Sequence, residues 1–437
     1  MKLRNLGVLG GIAALTLTAC GSSATPVPTT GAAATTGPAA TTGPAAGSIA
    51  VKIGIELPMT GGEAPNGVPT ANGVALALAK IQVPGFTVTI NQQDDAVNGV
   101  HSATQGATNI GTLVNDASVL FVVGPYNSSV AQAEIPVSNA AGLMQCSPAN
   151  TNPGLTKTWG GVDPKTLRPT NPDKIAYVRV ATTDDLQGAA GADIAYNLQG
   201  KKTAYVLDDT QTYGKGIADV FETQFKALGG TVLGHDSPPS TTSDFTSEVT
   251  TISGKKPDYV YYGGVTTSGL GLFRKQMAQQ NMASTDFGGG DGINDGSAAT
   301  ASSFLQIAGD AGDPNTFSTV AATHDIPGLD AFNSAYKAMF NTDPGSYSAA
   351  AYACTQVFLQ ALKSVGTGVT DLAALRSAVR AYVATPSNSY DTQLGTLSFD
   401  ANGDTSQKVI SYYGFDATSK DWKFIKQRDF TQQPLGQ

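Results

Sequence analysis

Apolar positions along this chain follow two rhythms that take turns. Residues 51–57 form a β-branched apolar run ended by Pro58 and the pair Gly61-Gly62, the pattern of a buried strand closed by a turn. Residues 71–81 then place apolar side chains at helical spacing, residues 86–92 predict a strand, 101–114 a helix and 119–124 a strand. A parallel strand is reached from its neighbour only through a crossover, so this alternation predicts a parallel sheet with helices on both faces. Pro153, Pro164, Pro169 and Pro172 break the rhythm between Thr151 and Lys174, where a loop is expected. It resumes with a strand at 175–180, a helix at 187–198, a strand at 203–208, a helix at 216–228 and a strand at 231–234, and continues through 245–252, 259–262, 269–279 and 286–290. The tail predicts helices over 347–365 and 371–382, then strands at 409–415 and 422–426. Periodicity leaves open whether the chain finishes one α/β unit before starting the next.

The first twenty residues have a different character. Lys2 and Arg4 precede an apolar stretch over 6–17, which ends in Leu17-Thr18-Ala19-Cys20. A small residue before a cysteine resembles the bacterial lipobox, so residues 1–20 are expected to be a lipoprotein signal peptide cleaved to leave a lipidated Cys20. An ordinary secretory signal with a stray cysteine is the alternative; a membrane span would need ~20 apolar residues. Residues 21–48 are Gly, Ser, Thr, Pro and Ala, with Thr-Thr-Gly-Pro-Ala-Ala at 35–40 and again at 41–46. They have little to bury, and a disordered linker standing the folded part off a membrane is expected.

The rest of the 437 residues exceeds the ~250–300 that one core supports, so at least two lobes are expected. Net charge is −8 with 14% charged residues, and no basic stripe is available to neutralise phosphates, which argues against nucleic acid. Cys146 and Cys354 either pair in an oxidising compartment or are buried thiols. His101, His235 and His324 have neither metal-ligand nor triad spacing and are expected at the surface or in turns. Gly288-Gly289-Gly290 lacks the context of a phosphate loop. No enzyme, metal or cofactor is expected.

Several segments, in order, resemble the leucine/isoleucine/valine-binding proteins of the type I periplasmic binding protein family. They are Ile53-Gly54-Ile55 with Met59-Thr60-Gly61, Asp94-Asp95-Ala96, Gly124-Pro125-Tyr126-Asn127-Ser128-Ser129, Ser147-Pro148-Ala149-Asn150-Thr151, Asp208 through Gly214, Asp258 through Gly264, and Leu394-Gly395 through Phe399-Asp400 with Gly403-Asp404. The resemblance covers nearly everything after residue 50. It implies an α/β fold of two doubly wound, Rossmann-like lobes joined by three crossover strands near 177–183, 319–325 and 395–400. Lobe 1 would comprise 49–179 plus 322–396, and lobe 2 180–321 plus 397–432, closing on a ligand by a hinge motion. It also implies a monomeric extracytoplasmic solute-binding protein of an ABC importer, held at the outer face of the membrane by Cys20 alone. Its partners would be a permease with its ATPase and a small ligand, an amino acid (branched-chain included) or a related polar molecule. A membrane-anchored solute sensor, or a binder of urea, short amides or small carboxylates, would carry the same features.

Loops at the carboxyl ends of parallel strands line ligand crevices, and every motif quoted sits at such an end. Asn127 and Ser128 precede a helical stretch whose free N–H groups suit a carboxylate. The resemblance puts an amino acid's carboxylate on Ser128 and Thr151, with the Ala149 carbonyl accepting from its ammonium and Tyr126 and Asn150 in the same loops. Ser128 could instead only cap its helix. Asp291 follows three glycines where the family keeps a carboxylate for the ammonium, one methylene longer as glutamate; the plain alternative is a turn aspartate. Tyr213 and Tyr347 would form walls, or be ordinary core aromatics. Asn66 and Val265 stand where branched-chain binders often carry aromatics, so the side-chain pocket is expected to differ. Asn127 and Val97 stand where some relatives have cysteines, so that disulfide is absent. The loop 157–172 has no counterpart in the family pattern.

Overall fold

A computed structural model describes residues 47–432. The signal segment, Cys20 and the stalk as far as residue 46 lie outside the described residues. Two sheets organise the chain. The first has the order Phe86–Asp94, Ile49–Leu57, Val119–Val123, Met144–Ser147, Tyr177–Arg179, all parallel. The second has the order Asp421–Asp429, Val409–Asp416, Thr316–Val320, Asp286–Gly289, Tyr259–Gly263, Thr203–Asp208, Thr231–Asp236. Its last five strands are parallel, and the chain's final hairpin adds an antiparallel edge. Central strands covered on both faces must be apolar throughout, and Val-Leu-Phe-Val-Val at 119–123 is buried at every position.

The chain does not complete one lobe before starting the other. It leaves the first sheet after Arg179 and returns from the second after Val320. The helices Ser348–Val365 and Leu372–Val383 then pack on the first lobe, against Ala64–Lys80 and Val119–Val123, before the chain crosses again to the final hairpin. The fold is therefore the two-lobed, doubly wound α/β architecture with three crossings. The helix Ser348–Val365 buries twelve residues, among them Val357, Phe358, Leu359 and Leu362. Each large apolar side chain buried this way stabilises the lobe by about 1.5–3 kcal/mol.

Element boundaries differ from the sequence pattern where proline or short length hides the element. The helix expected from residue 71 begins at Ala64, because Pro65 lies in its first turn, where a missing N–H costs nothing, and Pro69 is carried inside it. The helix expected at 216 begins at Thr212, and that expected at 187 begins at Asp184 and ends in the wider turn Ile194–Leu198. The strand expected over 175–180 shortens to Tyr177–Arg179. Cys146 and Cys354 form a disulfide that ties the strand Met144–Ser147 to the helix Ser348–Val365 across 208 residues of sequence. His101 is a correction: its side chain is 4% exposed, enclosed by Glu63 and Gln211 rather than at the surface.

Candidate functional site

The carboxyl ends of both sheets face a common cleft, and two loops of the first lobe form one wall. At Gly124 φ is +136°, and a Cβ there would lie 2.0 Å from the Glu56 carbonyl oxygen, so only glycine fits. The turn delivers Tyr126, Asn127 and Ser128 to the cleft. Ser147 Oγ donates to the Pro125 carbonyl (2.6 Å) and accepts from Asn150 N–H (2.9 Å). The Asn150 carboxamide donates to the Tyr126 carbonyl (2.6 Å) and accepts from Tyr177 OH (2.8 Å), so this side chain stitches the two loops together. Behind them the buried Arg179 donates to Asp404 Oδ1 (2.7 Å), to the Asn152 carbonyl (2.6 Å) and to Thr156 Oγ1. Burial opposes a charge on Asp404, but Arg179 outweighs it and holds the carboxyl below its ordinary range. These bonds fix the segment from Ala149 to Asn152.

Ser128 is the first residue of the helix Ser128–Ala141, and Asn127 is its N-cap without a side-chain capping bond. Capping is thus not the role of Ser128, whose Oγ accepts from Asn152 N–H at 3.4 Å. The helix presents its partly positive N-terminus to the cleft.

Asp291 forms the centre of the opposite wall. Its Oδ1 accepts from Tyr213 OH (2.8 Å) and from the Gln187 carboxamide, and its Oδ2 accepts from Tyr347 OH (2.9 Å). The last bond crosses between lobes, since Tyr347 opens the helix Ser348–Val365. The approach depends on Gly290, where a Cβ would lie 2.3 Å from Tyr213 OH. Asp291 is buried rather than lying open, with 5% exposure. Burial pushes its carboxyl up, against the pull of Gln187, Tyr213 and Tyr347. Tyr126 stacks edge-on against Tyr347 with centroids 5.6 Å apart and donates to Asn66 Oδ1 at 3.2 Å. Val265 packs where a side chain on Gly292 would otherwise be, next to Asp291.

Thr151 Oγ1 donates to Asp184 Oδ2 (3.0 Å). Asp184 is fully buried, and its carboxyl is pushed well up by burial and then by the charge of Asp291. Two carboxylates therefore share one dry cleft. Asp184 Oδ1, Gln187 Oε1 and Asn127 Oδ1 are buried there without a hydrogen-bond partner. Each such atom costs about 1–3 kcal/mol unless something fills the space before it. The sequence reading missed Asp184 and Gln187, because Thr-Thr-Asp-Asp followed by a helical stretch reads as a helix start and nothing more.

The lobes also meet outside this centre. Thr267 Oγ1 donates to Glu63 Oε1 (2.6 Å), His101 Nδ1 meets the same oxygen (2.9 Å), and His101 Nε2 meets Gln211 Oε1 (2.8 Å). Burial opposes both charges, yet the pairing lowers the Glu63 pKa and raises that of His101. Asn152 Nδ2 donates to the Thr212 carbonyl (2.6 Å), and Thr212 Oγ1 to Gln132 (2.8 Å). Among the described residues no group of His, Cys, Asp and Glu has the arrangement of a metal site, and no helix is long and apolar enough to cross a membrane.

Residues 50–415 match the family model described as periplasmic binding protein. A Leu/Ile/Val-binding protein, BraC3, from Rhizobium johnstonii is 28% identical over 375 residues, covering 84% of this chain and 92% of that protein. The crystal structure of a leucine binding protein, LivK, from Thermotoga maritima superposes with a TM-score of 0.71 at 24% identity, covering 87% of this chain and 99% of that one. An ABC transporter solute binding protein from R. palustris in complex with 4-hydroxybenzoate gives 0.71 at 18% identity, covering 87% and 97%.

Proposed function

Because this chain belongs to the periplasmic binding protein family, we propose that it is the solute-binding component of an ABC importer and that its ligand is an amino acid held by its charged head. The family sits outside the cytoplasm, and the reading adds an anchor at a lipidated Cys20 that keeps the closed, loaded form near its permease. The relative from Rhizobium carries a branched-chain amino acid name and a similar structure holds a benzoate, so the ligand class has to be argued from the cleft.

One observation carries the argument: Asp291 and Asp184 are both buried in the cleft, with one carboxylate oxygen and two amide oxygens around them unpartnered. Two buried acidic groups, with the neighbouring Arg179 already bound to Asp404, disfavour a purely anionic ligand and favour an ammonium. The ligand carboxylate would lie across the cleft, on the N-terminus of the helix Ser128–Ala141 with the hydroxyls of Ser128 and Thr151. Tyr213 and Tyr347 orient Asp291 and cover the ligand. Closure then follows from a bridging ligand that interacts with both lobes, which an open form does not offer.

A thermal-shift and calorimetric screen of L-amino acids, their amides, urea and benzoates tests this. The expected result is micromolar or tighter binding of an amino acid, with stabilisation of about 2.7 kcal/mol at a hundredfold excess over Kd. The amine lacking the carboxylate and the acid lacking the amine should each bind far more weakly. Tight benzoate binding with no response to any amino acid would overturn the reading.

A further inference from the structure

A cavity of about 530 Å³ between the lobes is lined by Tyr126 and Tyr347, with Ser128, Thr151 and Asp291 outside its lining. Tyr347 lines it while its hydroxyl donates to Asp291 (2.9 Å), so one residue borders both the cavity and the charged-head pocket. Asn66 and Tyr126 line it from the first lobe, and Asn294 and Asp295 from the second.

Asn294 and Asp295 carry unused hydrogen-bonding capacity. Asp295 Oδ1 accepts from Phe304 N–H (2.8 Å), while Oδ2 is buried without a partner. At Asn294 the hydroxyl of Ser346 lies 2.9 Å from the main-chain carbonyl oxygen and 3.0 Å from the amide oxygen, and the amide nitrogen is buried without a partner. The two residues are 7% and 4% exposed, respectively. No lysine or arginine lines the cavity. The neighbouring Glu63 already holds His101 and Thr267, and Asp343 at the rim holds Lys337. Asp295 Oδ2 accepts no hydrogen bond in this conformation; the Thr266 hydroxyl lies near the carboxyl and donates to the Gly292 carbonyl (3.3 Å).

Resting on the amino-acid reading above, we propose that this cavity is the side-chain compartment of the ligand, and that Asp295 with Asn294 receives a hydrogen-bond-donating tip. The ligand is then an amino acid with a long polar side chain ending in an ammonium, guanidinium or carboxamide, and not a branched apolar one. A branched hydrocarbon would leave most of the cavity empty and Asp295 Oδ2 buried without a donor, the less favourable outcome on both counts. Asn66, rather than an aromatic ring, lines the cavity beside Tyr126.

Calorimetry on the protein without its signal, at one pH, with lysine, arginine and glutamine against leucine, isoleucine, valine and alanine tests the assignment. At least one donor-tipped amino acid should bind tenfold or more tightly than leucine; lysine and arginine against glutamine tells a charged tip from a neutral one. Asp295→Asn keeps the acceptor for Phe304 N–H and should weaken the donor-tipped ligand at least tenfold for a charged tip, leaving alanine within threefold. Apolar amino acids binding more tightly than every donor-tipped one would overturn the compartment assignment alone, as would an Asp295→Asn loss equal for alanine and the long ligand. If no amino acid of either kind binds, the functional reading fails and this inference with it.

Discussion

Replacing Asp291 with asparagine separates its work on the ligand from its work in the fold. The carboxylate accepts from Gln187, Tyr213 and Tyr347. Alanine would orphan three buried donors at about 1–3 kcal/mol each and confound binding with stability. In Asp291→Asn the amide oxygen still accepts from Gln187 and Tyr213, and the Tyr347 hydroxyl can rotate to accept from the new NH2. Asp184 lies close enough to feel the charge of Asp291, and removing it relieves that repulsion. The unliganded variant should therefore melt at or slightly above the wild-type temperature. A bound ammonium, by contrast, loses the charge that offsets its desolvation. Breaking a buried pair this way costs about 3–5 kcal/mol, roughly two to three and a half decades in Kd. Isothermal titration with the amino acid found in the screen, alongside calorimetric melting without ligand, reads both quantities. A Kd within threefold of wild type would refute the assignment of Asp291 to the ammonium. A large drop in the unliganded melting temperature would show that the residue acts mainly on the fold.

Three further outcomes follow from buried groups. His101 donates from both ring nitrogens, because Gln211 turns its amide nitrogen to Ser268 and its oxygen to the ring, so the interlobe bond needs the protonated imidazole. Its pKa is raised, with Glu63 and Asp209 facing it, so closure is fully supported below about pH 6.5 and weakens as pH climbs through the raised value. Ligand affinity measured across that range should fall roughly three- to tenfold, the worth of one hydrogen bond of about 0.5–1.5 kcal/mol, and His101→Gln should flatten the profile. Glu56, Asp95 and Glu134 form a second buried acidic cluster, in which burial and then Glu56 push Asp95 up to about 10, and Glu56 and Glu134 are raised as well. The folded cluster keeps protons that the unfolded chain releases above about pH 4, so its contribution to stability declines as pH rises. Glu134→Gln should raise stability at pH 8 by on the order of 1–3 kcal/mol, read as a higher melting temperature, and leave it unchanged near pH 4. Reducing the bond between Cys146 and Cys354, which closes a loop of 208 residues, should lower stability by about 2–4 kcal/mol in denaturant titrations run with and without reductant.

The alternation of apolar runs and helical spacings was enough to read the parallel α/β class, because a strand buried on both faces has no polar alternative at its positions. Val119–Val123 and Tyr259–Gly263 are legible for that reason. The loop motifs around Gly124, Ser147 and Asp291 also stand out, since close backbone approaches admit few residues. The signal-like start and the stalk are likewise matters of sequence, and they lie outside the described residues. Short elements such as Met144–Ser147 carry too few residues to show a period.

What surrounds a charge is decided by residues far apart in sequence, and there the tertiary structure was needed. Asp184 reads locally as the acidic start of a helix, and only the packing of that helix on the second sheet, with Thr151 of the other lobe against it, buries it near Asp291. His101 reads as a loop residue until Glu63, 38 positions earlier, and Gln211, 110 positions later, enclose it. Tyr347 reaches Asp291 because the chain returns to its first lobe after building the second, an order that no local pattern encodes. Periodicity reports which face of an element turns away from water, and so it specifies layers. Pairing across a cleft depends on where those layers dock, which is fixed only when the whole chain is folded.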